Sequence, residues 1–152
     1  MNSALDYFVP TGSDLSATDR SLAVLLAQIL QEPCFDTLRT KEQLGYIVHL
    51  GLHKSTGCIG VKMVMQSERP ALYLEARAEN FLKEARSILA NMTAEEYKKH
   101  QDTAKAHYLE KDKNLDAEFT RYWNQINAGT YDFDRGKLFL NVHEKRALAH
   151  FV

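Results

Sequence analysis

Hydrophobic and polar positions alternate along two neighbouring stretches of the chain, residues 46–53 and 58–66. Alternation with a period of two is typical of β-strands that bury one face, and both stretches are rich in valine and isoleucine. The polar link between them, residues 54–57, contains a glycine suited to a turn. The pattern therefore predicts a β-hairpin. Residues 3–9 are predicted to form a further short strand, followed by a turn at residues 10–14.

Apolar residues recur at intervals of three and four in other parts of the chain, which is the spacing of a helix with one buried face. These parts are residues 22–29, 74–88 and 119–126. Ser16 or Thr18 is placed to cap the first helix, and Pro33 is expected to interrupt it. A short helical piece carrying Arg39 should follow and end near Gly45, because glycine suits a helix stop.

Capping residues predict the bounds of the later helices. Thr93 starts a capping-box pattern ahead of a helix that follows the 74–88 stretch. Asp116 can cap the next helix, Gly129 is expected to end it, and Asp134 could cap a last one. Helices packed on one face of a small antiparallel sheet make an α+β fold, and 152 residues suffice for one domain.

Composition excludes several classes of protein. Nineteen basic and twenty acidic residues give a net charge of -1, so there is no overall electrostatic case for binding nucleic acid or an anionic membrane. Basic residues at 98–100 and 111–113 are interleaved with acids, which disfavours a nucleic-acid site there. No apolar run approaches the roughly 20 residues that span a bilayer, and the first residues lack a signal peptide, so a cytoplasmic protein is expected. Cys34 and Cys58 are expected to be free thiols, and no histidine lies near Cys34 in sequence to make it a nucleophile.

The histidines do not predict a metal site within this chain. His49 and His53 are four residues apart, but on a strand that places their backbones about 13 Å apart, too far to clamp one ion. His143 begins a His-Glu-x-x-His pattern that fails at Ala147, and the reversed His-x-x-Glu-His pattern does not occur.

The most specific feature is the stretch of residues 39–46, which reads Arg-Thr-Lys-Glu-Gln-Leu-Gly-Tyr. The Arg39 guanidinium and the Tyr46 phenol can both donate hydrogen bonds to carbonyl oxygens that gain negative charge during peptide hydrolysis. Each has an ordinary alternative. Tyr46 could be a core residue, and Arg39 could pair on a helix surface with Asp36 or Glu42.

This motif, within the longer stretch of residues 32–48, resembles the Arg-x-x-x-[Glu/Gln]-x-Gly-Tyr pattern in the last domain of the pitrilysin-type zinc metallopeptidases, the inverzincin family that includes insulin-degrading enzymes. In that family four related α+β domains form a closed chamber. The resemblance implies that residues 1–152 are most of the fourth, carboxy-terminal domain without its opening strands, an incomplete domain from a larger chain. It also implies that the missing amino-terminal part holds the zinc.

The resemblance implies a role for each motif residue. Tyr46 would stabilise the oxyanion that forms when zinc-bound water attacks the scissile carbonyl, and Arg39 would donate to a backbone carbonyl of the substrate. Phe35 would line a side-chain pocket, and Gln43 and Gly45 would contact the substrate or hold the junction.

The same resemblance implies partners and an activity. Substrates would be insulin-like hormones and other short peptides, and the isolated chain would be inactive without the zinc-bearing domains. Exposed strand edges and apolar helix faces would then need another partner, and self-association is one way to cover them. The alternative is a noncatalytic structural or interaction domain of the same superfamily.

Overall fold

The computed structural model of the protein describes residues 2–13, 15–55 and 58–134. Its elements, in chain order, are β1 (Ser3–Ser13), α1 (Ala17–Cys34), a π-helical segment (Phe35–Lys41), β2 (Ile47–Ser55), β3 (Cys58–Ser67), α2 (Ala71–Asn91), α3 (Ala94–Leu109) and α4 (Leu115–Asn127). The predicted α+β class is confirmed. The predicted last helix lies beyond the described residues, which end at its proposed cap, Asp134.

The sheet has three antiparallel strands in the order β1-β3-β2, and the predicted hairpin is its β2-β3 half. The strand register aligns the inward residues in rows across the sheet. Two of these rows are Leu5-Met65-Val48 and Tyr7-Met63-Leu50. Helices α1 and α2 cover this face, while the opposite face carries an ion pair of 2.6 Å between Lys62 and Asp6. The prediction that the helices pack on one face of a small sheet is therefore confirmed.

The turn predicted at residues 10–14 is wrong over its described part. Strand β1 continues through Pro10 to Ser13, with an irregular register between Pro10 and Gly12. A proline is tolerated there because β1 lies at the edge of the sheet, where a missing backbone N–H need not break the ladder.

Pro33 does not interrupt the first helix, contrary to prediction. It lies inside α1, and the backbone N–H of Phe35 is shared between the carbonyls of Gln31 and Glu32. The hydrogen bonding then changes to the wider π pattern for residues 35–41. A proline near a helix end removes one donor, and here the packing of a fully buried helix face outweighs that loss.

The helical region ends before Gly45, and the prediction of a helix stop there is wrong. The π-helical segment closes at Lys41, and the left-handed residue after it is Gln43, with φ 53°. Gly45 serves a different purpose. A Cβ at Gly45 would overlap the carbonyl oxygen of Gln66 in β3, so only glycine lets the backbone pass so close to the sheet.

Three of the predicted capping residues are confirmed and one is wrong. Ser16 caps α1, Thr93 forms the capping box of α3, and Gly129 follows α4 with φ 67°. The cap of α4 is Asn114, whose side chain accepts from a backbone N–H, and Asp116 lies in the first turn instead. An acidic residue in the first turn is still favourable, because it faces the positive end of the helix dipole.

Helix α4 has no buried residue. Its large exposed side chains include Leu115, Phe119, Trp123 and Ile126. The Phe119 and Trp123 rings stack in parallel at a centroid distance of 6.1 Å. Within the ranges that the structure covers, no helix has the length and hydrophobicity needed to cross a membrane.

Replacing Gly45 with alanine is expected to lower the free energy of unfolding by about 1–3 kcal/mol, because the new methyl group must push the backbone away from Gln66. Gly51→Ala in the same strand region is the matched control, since its Cβ would meet only the movable ring of His49. Urea unfolding of both variants measures the difference. Equal losses would show that Gly45 does not need to be glycine.

Cys34 is fully buried, and burial raises the pKa of its thiol from the ordinary 9.0 to about 12. Because the folded state holds this proton more tightly than the unfolded state, the resulting stabilisation is present below pH 9 and is lost as the pH rises toward 12. At pH 8 we expect iodoacetamide to modify the half-buried Cys58 and to spare Cys34 until denaturant is added. Mass spectrometry of the two peptides checks this, and equal labelling of the folded protein would contradict it.

Candidate functional site

The candidate site lies where the π-helical segment turns into β2. Arg39 belongs to the π-helical segment, and Tyr46 is the residue immediately before the strand. The Cζ atom of Arg39 lies 4.9 Å from the centroid of the Tyr46 ring. The structure therefore brings together the two residues that the sequence singles out for catalysis.

Tyr46 is 84% exposed, so the alternative of a core tyrosine is wrong. The inward alternation of β2 begins at Val48, which is buried, and Tyr46 stands before the strand starts. The close passage of Gly45 over β3 fixes the backbone just before it. The phenol is thus presented to solvent from a constrained piece of chain.

The surface pairing proposed for Arg39 is also wrong. Asp36 instead pairs with Lys41 at 2.8 Å, and Glu42 pairs with Arg77. Among the residues that the structure describes, no carboxylate lies within 4.0 Å of the Arg39 side-chain nitrogens. The hydrogen-bonding edge of the guanidinium is therefore left for a partner other than these carboxylates.

Phe35 holds Arg39 from within the π-helical segment. The Arg39 Cζ lies 4.7 Å from the centroid of the Phe35 ring, which is 42% exposed. A cation over an aromatic face contributes about 0.5–1 kcal/mol at exposed sites. Because Arg39 has such a contact with both Phe35 and Tyr46, the three side chains form one cluster.

Gln43, Gly45 and Tyr46 line a surface cleft between the turn and the end of β3. The other residues at its edges are Asn2, Leu44, Ile47, Gln66, Ser67, Glu68 and Arg69. The cleft brings together three of the five predicted site residues. Arg39 joins them by packing on the Tyr46 ring, and Phe35 joins them by its contact with Arg39.

Three polar contacts anchor the turn that carries Gln43 and Gly45, and the sequence did not reveal them. The Leu44 backbone N–H donates to the Leu38 carbonyl at 3.0 Å, and the Ser67 hydroxyl donates to the Leu44 carbonyl. Arg77 of α2 donates two hydrogen bonds to the Glu42 carboxylate. Residues separated by 23 and 35 positions leave no periodic signal that could have predicted these pairs.

The part of the chain that the structure describes contains no group of three or more His, Cys, Asp and Glu residues that could hold a metal ion. His49 and His53 lie on the edge strand β2, and His53 packs edge-on against the ring of Phe8 at 5.5 Å. At the candidate site, the Arg39 guanidinium and the exposed Tyr46 phenol both offer hydrogen-bond donors to an oxygen atom.

Comparison with known proteins identifies relatives of this domain. The profile of the family described as PQQ synthase PqqF-like, C-terminal lobe domain 4, matches residues 25–123, which include the whole candidate turn. The insulin-degrading enzyme of Homo sapiens is 41% identical over 135 residues, covering 88% of this chain. The A-factor-processing enzyme of Saccharomyces cerevisiae is 38% identical over 139 residues, covering 89% of this chain. In both cases the chain spans 13% of the length of the relative.

The fold is also shared with a solved structure. The crystal structure of pitrilysin matches with a TM-score of 0.82 and 28% identity, over 99% of this chain and 16% of the pitrilysin chain. The resemblance predicted from the residue 39–46 motif is confirmed by sequence and by structure. The chain therefore belongs to the PqqF-like family of C-terminal lobe domains 4, among the relatives of the insulin-degrading enzyme and pitrilysin.

Proposed function

We propose that this chain is the carboxy-terminal domain of an insulin-degrading-enzyme-like zinc endopeptidase, and that residues 1–152 form most of that single domain. In this proposal the domain supplies substrate-binding and oxyanion-stabilising groups to a zinc site that another part of the protein holds. The observation that carries the proposal is the exposed Tyr46 phenol beside Arg39, within the range of residues that the family profile matches. Short peptides would be the substrates.

Tyr46 is proposed to donate its hydroxyl proton in a hydrogen bond to the oxyanion of the tetrahedral intermediate. A donor is useful in this role only if it is held in place and reaches beyond its own domain. The fixed backbone at Gly45 supports the first requirement, and the exposure of the ring supports the second. Because the donor is preorganised, little reorganisation is needed when negative charge develops.

Arg39 is proposed to bind a backbone carbonyl of the substrate beside the scissile bond. Its planar fork suits this task because the rings of Phe35 and Tyr46 restrict its orientation while the N–H groups stay available. Phe35, half-exposed at the same place, is proposed to line a pocket for a substrate side chain. Gln43 and Gly45 would contact the peptide backbone from the adjoining cleft.

The zinc is proposed to lie outside this chain, as the resemblance to the family implies. The described residues contain no group of three or more His, Cys, Asp and Glu that could hold a metal ion. When bound in the complete protein, zinc would supply an activated water molecule as the nucleophile. The residues of this chain act on the carbonyl side of the reaction, where they bind the substrate and stabilise charge. The isolated chain is accordingly proposed to be inactive and to function with the amino-terminal domains as its partners.

The alternative function is a noncatalytic structural domain. Such a domain has no need to keep a large aromatic ring 84% exposed beside a cation that lacks an ion pair with the described carboxylates. Burying that ring would contribute more to stability, since a buried aromatic side chain gains about 1.5–3 kcal/mol. The observed exposure therefore favours the catalytic proposal.

Self-association of the isolated chain is also part of the proposal. The stacked Phe119 and Trp123 rings on α4 form an apolar surface that water solvates poorly. Strands β1 and β2 are both sheet edges among the described strands, which adds unpaired backbone groups.

Replacing Tyr46 with phenylalanine in the full-length protein removes only the hydroxyl. We expect kcat for peptide hydrolysis to fall about 10²- to 10³-fold, as it does when one oxyanion donor is lost. Thermal unfolding should not change, because the exposed hydroxyl is not part of the core. Tyr131→Phe, at another exposed tyrosine, is the matched control and should retain full kcat.

Two results of this experiment would oppose the proposal. Unchanged kcat in Tyr46→Phe would favour the noncatalytic alternative. If the melting temperature and kcat both fell strongly, the result would indicate that Tyr46 acts through stability.

Replacing Arg39 with lysine keeps the charge but removes the planar fork. We expect kcat/KM to fall by about tenfold or more, since a hydrogen bond to a charged group is worth about 1.5–3 kcal/mol. Arg86→Lys, an exposed position on α2, is the control and should leave kcat/KM unchanged. Steady-state kinetics with a fluorogenic peptide measures both, and full activity of Arg39→Lys would show that only charge matters.

A further inference from the structure

We infer that Arg77 is a positioning residue, which acts through its ion pair with Glu42 to hold the turn that presents Tyr46 and to keep Arg39 available for substrate. This inference rests on the proposed function. Arg77 lies on α2, and Glu42 follows the π-helical segment directly. Their contact joins two elements that are distant in sequence and adjacent at the site.

The contact has the geometry of a two-point clamp. The Nε atom of Arg77 donates to one Glu42 oxygen at 2.7 Å, and a terminal nitrogen donates to the other oxygen. The two side chains are only 25% and 20% exposed. An arginine guanidinium is charged throughout the working pH range, and the hydrogen bond to Glu42 raises the pKa of Arg77 further. Bidentate pairs of this kind fix orientation as well as distance.

The clamp acts where the backbone needs outside support. Gln43, the next residue, is held in a left-handed conformation at φ 53° that side chains other than glycine and asparagine seldom adopt. The contacts of Leu44 bind the turn to the π-helical segment and to β3. The Glu42 pair ties the same turn to α2, which is a third neighbouring element.

The clamp also decides the partner of Glu42. Glu42 is three positions after Arg39, a spacing at which opposite charges on a helical segment approach each other. With Arg77 in place, the Glu42 carboxylate is engaged on the α2 side and Arg39 packs on Phe35 and Tyr46 instead. Without Arg77, Glu42 would be free to pair with Arg39 and to compete with the substrate carbonyl.

The test uses Arg77→Gln, Glu42→Gln and the double variant in the full-length protein, each with and without Tyr46→Phe. Arg77→Gln is expected to lower kcat about 10- to 100-fold, the size of loss caused by misplacing a reacting group by about 1 Å. It should also raise KM, because the released Glu42 competes for Arg39. The double variant should recover much of the KM, since the neutral amide that Glu42→Gln introduces competes far less for Arg39.

The Tyr46→Phe background separates positioning from simple damage. If Arg77 acts through the Tyr46 hydroxyl, removing that hydroxyl first should reduce the effect of Arg77→Gln on kcat to about threefold or less, because coupled residues are not additive. An equal loss in both backgrounds would overturn the inference. If Tyr46→Phe alone leaves kcat unchanged, the proposed function fails first, and that result is distinct from a failure of the clamp.

Arg20→Gln is the matched control for stability. Arg20 makes a similar two-point pair with Asp132, and these side chains are 17% and 15% exposed. It lies near the start of α1, 15 residues from Phe35, or about 22 Å along a helix. Its loss should lower the melting temperature without changing kcat, and an equal kcat loss would overturn the inference. Should Arg77→Gln fail to fold, Arg77→Lys and Glu42→Gln carry the same comparison, with smaller losses of kcat expected.

Discussion

The passage of the Gly45 backbone over the end of β3 is the constraint on which the candidate site depends. At this point the chain leaves a helical segment and enters a sheet, and no Cβ fits between Gly45 and the Gln66 carbonyl. The Ser67 hydroxyl bonds the Leu44 carbonyl from the same end of β3. Two strands and a helical segment are therefore held together at one place. The chain enters Tyr46 from this constrained point, while the Tyr46 ring stays in solvent.

The large features of the fold could be predicted because they follow from periodicity. The alternation in residues 46–66 fixes the hairpin, and the spacing of apolar residues along α2 fixes the helix that covers the sheet. The Thr93 capping box could be predicted for a similar reason, because its two partners are three residues apart. At these positions the local pattern and the tertiary packing favour the same structure.

The errors at Pro10, Pro33 and Gly45 have a common physical cause. A local rule assigns each residue a preferred conformation, but tertiary context decides whether that preference is expressed. Pro10 lies at a sheet edge, and Pro33 lies in a helix whose packing keeps it intact. Gly45 must be glycine because of its contact with Gln66, which is 21 positions away in sequence. The residues next to Gly45 in the sequence do not reveal that contact.

The residues of the candidate site could be named from the sequence, but the contacts that support them could not. The motif of residues 39–46 identifies Arg39 and Tyr46, because it gives the types and the spacing of two side chains that can donate hydrogen bonds. The motif does not record that the Arg39 guanidinium rests against two rings, or that Glu42 is turned toward α2. These contacts arise only when elements distant in sequence are assembled, so they belong to the fold and not to the motif.

The π-helical segment constrains the number of residues that this region can contain. A π pattern accommodates one more residue than an α-helix would over the same turn, and such segments are frequent at functional sites. Deleting one residue between Phe35 and Lys41 would permit ordinary α-helical bonding, which is the better hydrogen-bond geometry. It would also rotate every following side chain by about 100° around the helix axis, because an α-helix has 3.6 residues per turn. Arg39 would then lose its contact with the Tyr46 ring. The segment can therefore have α-helical hydrogen bonds or the observed site geometry, but not both.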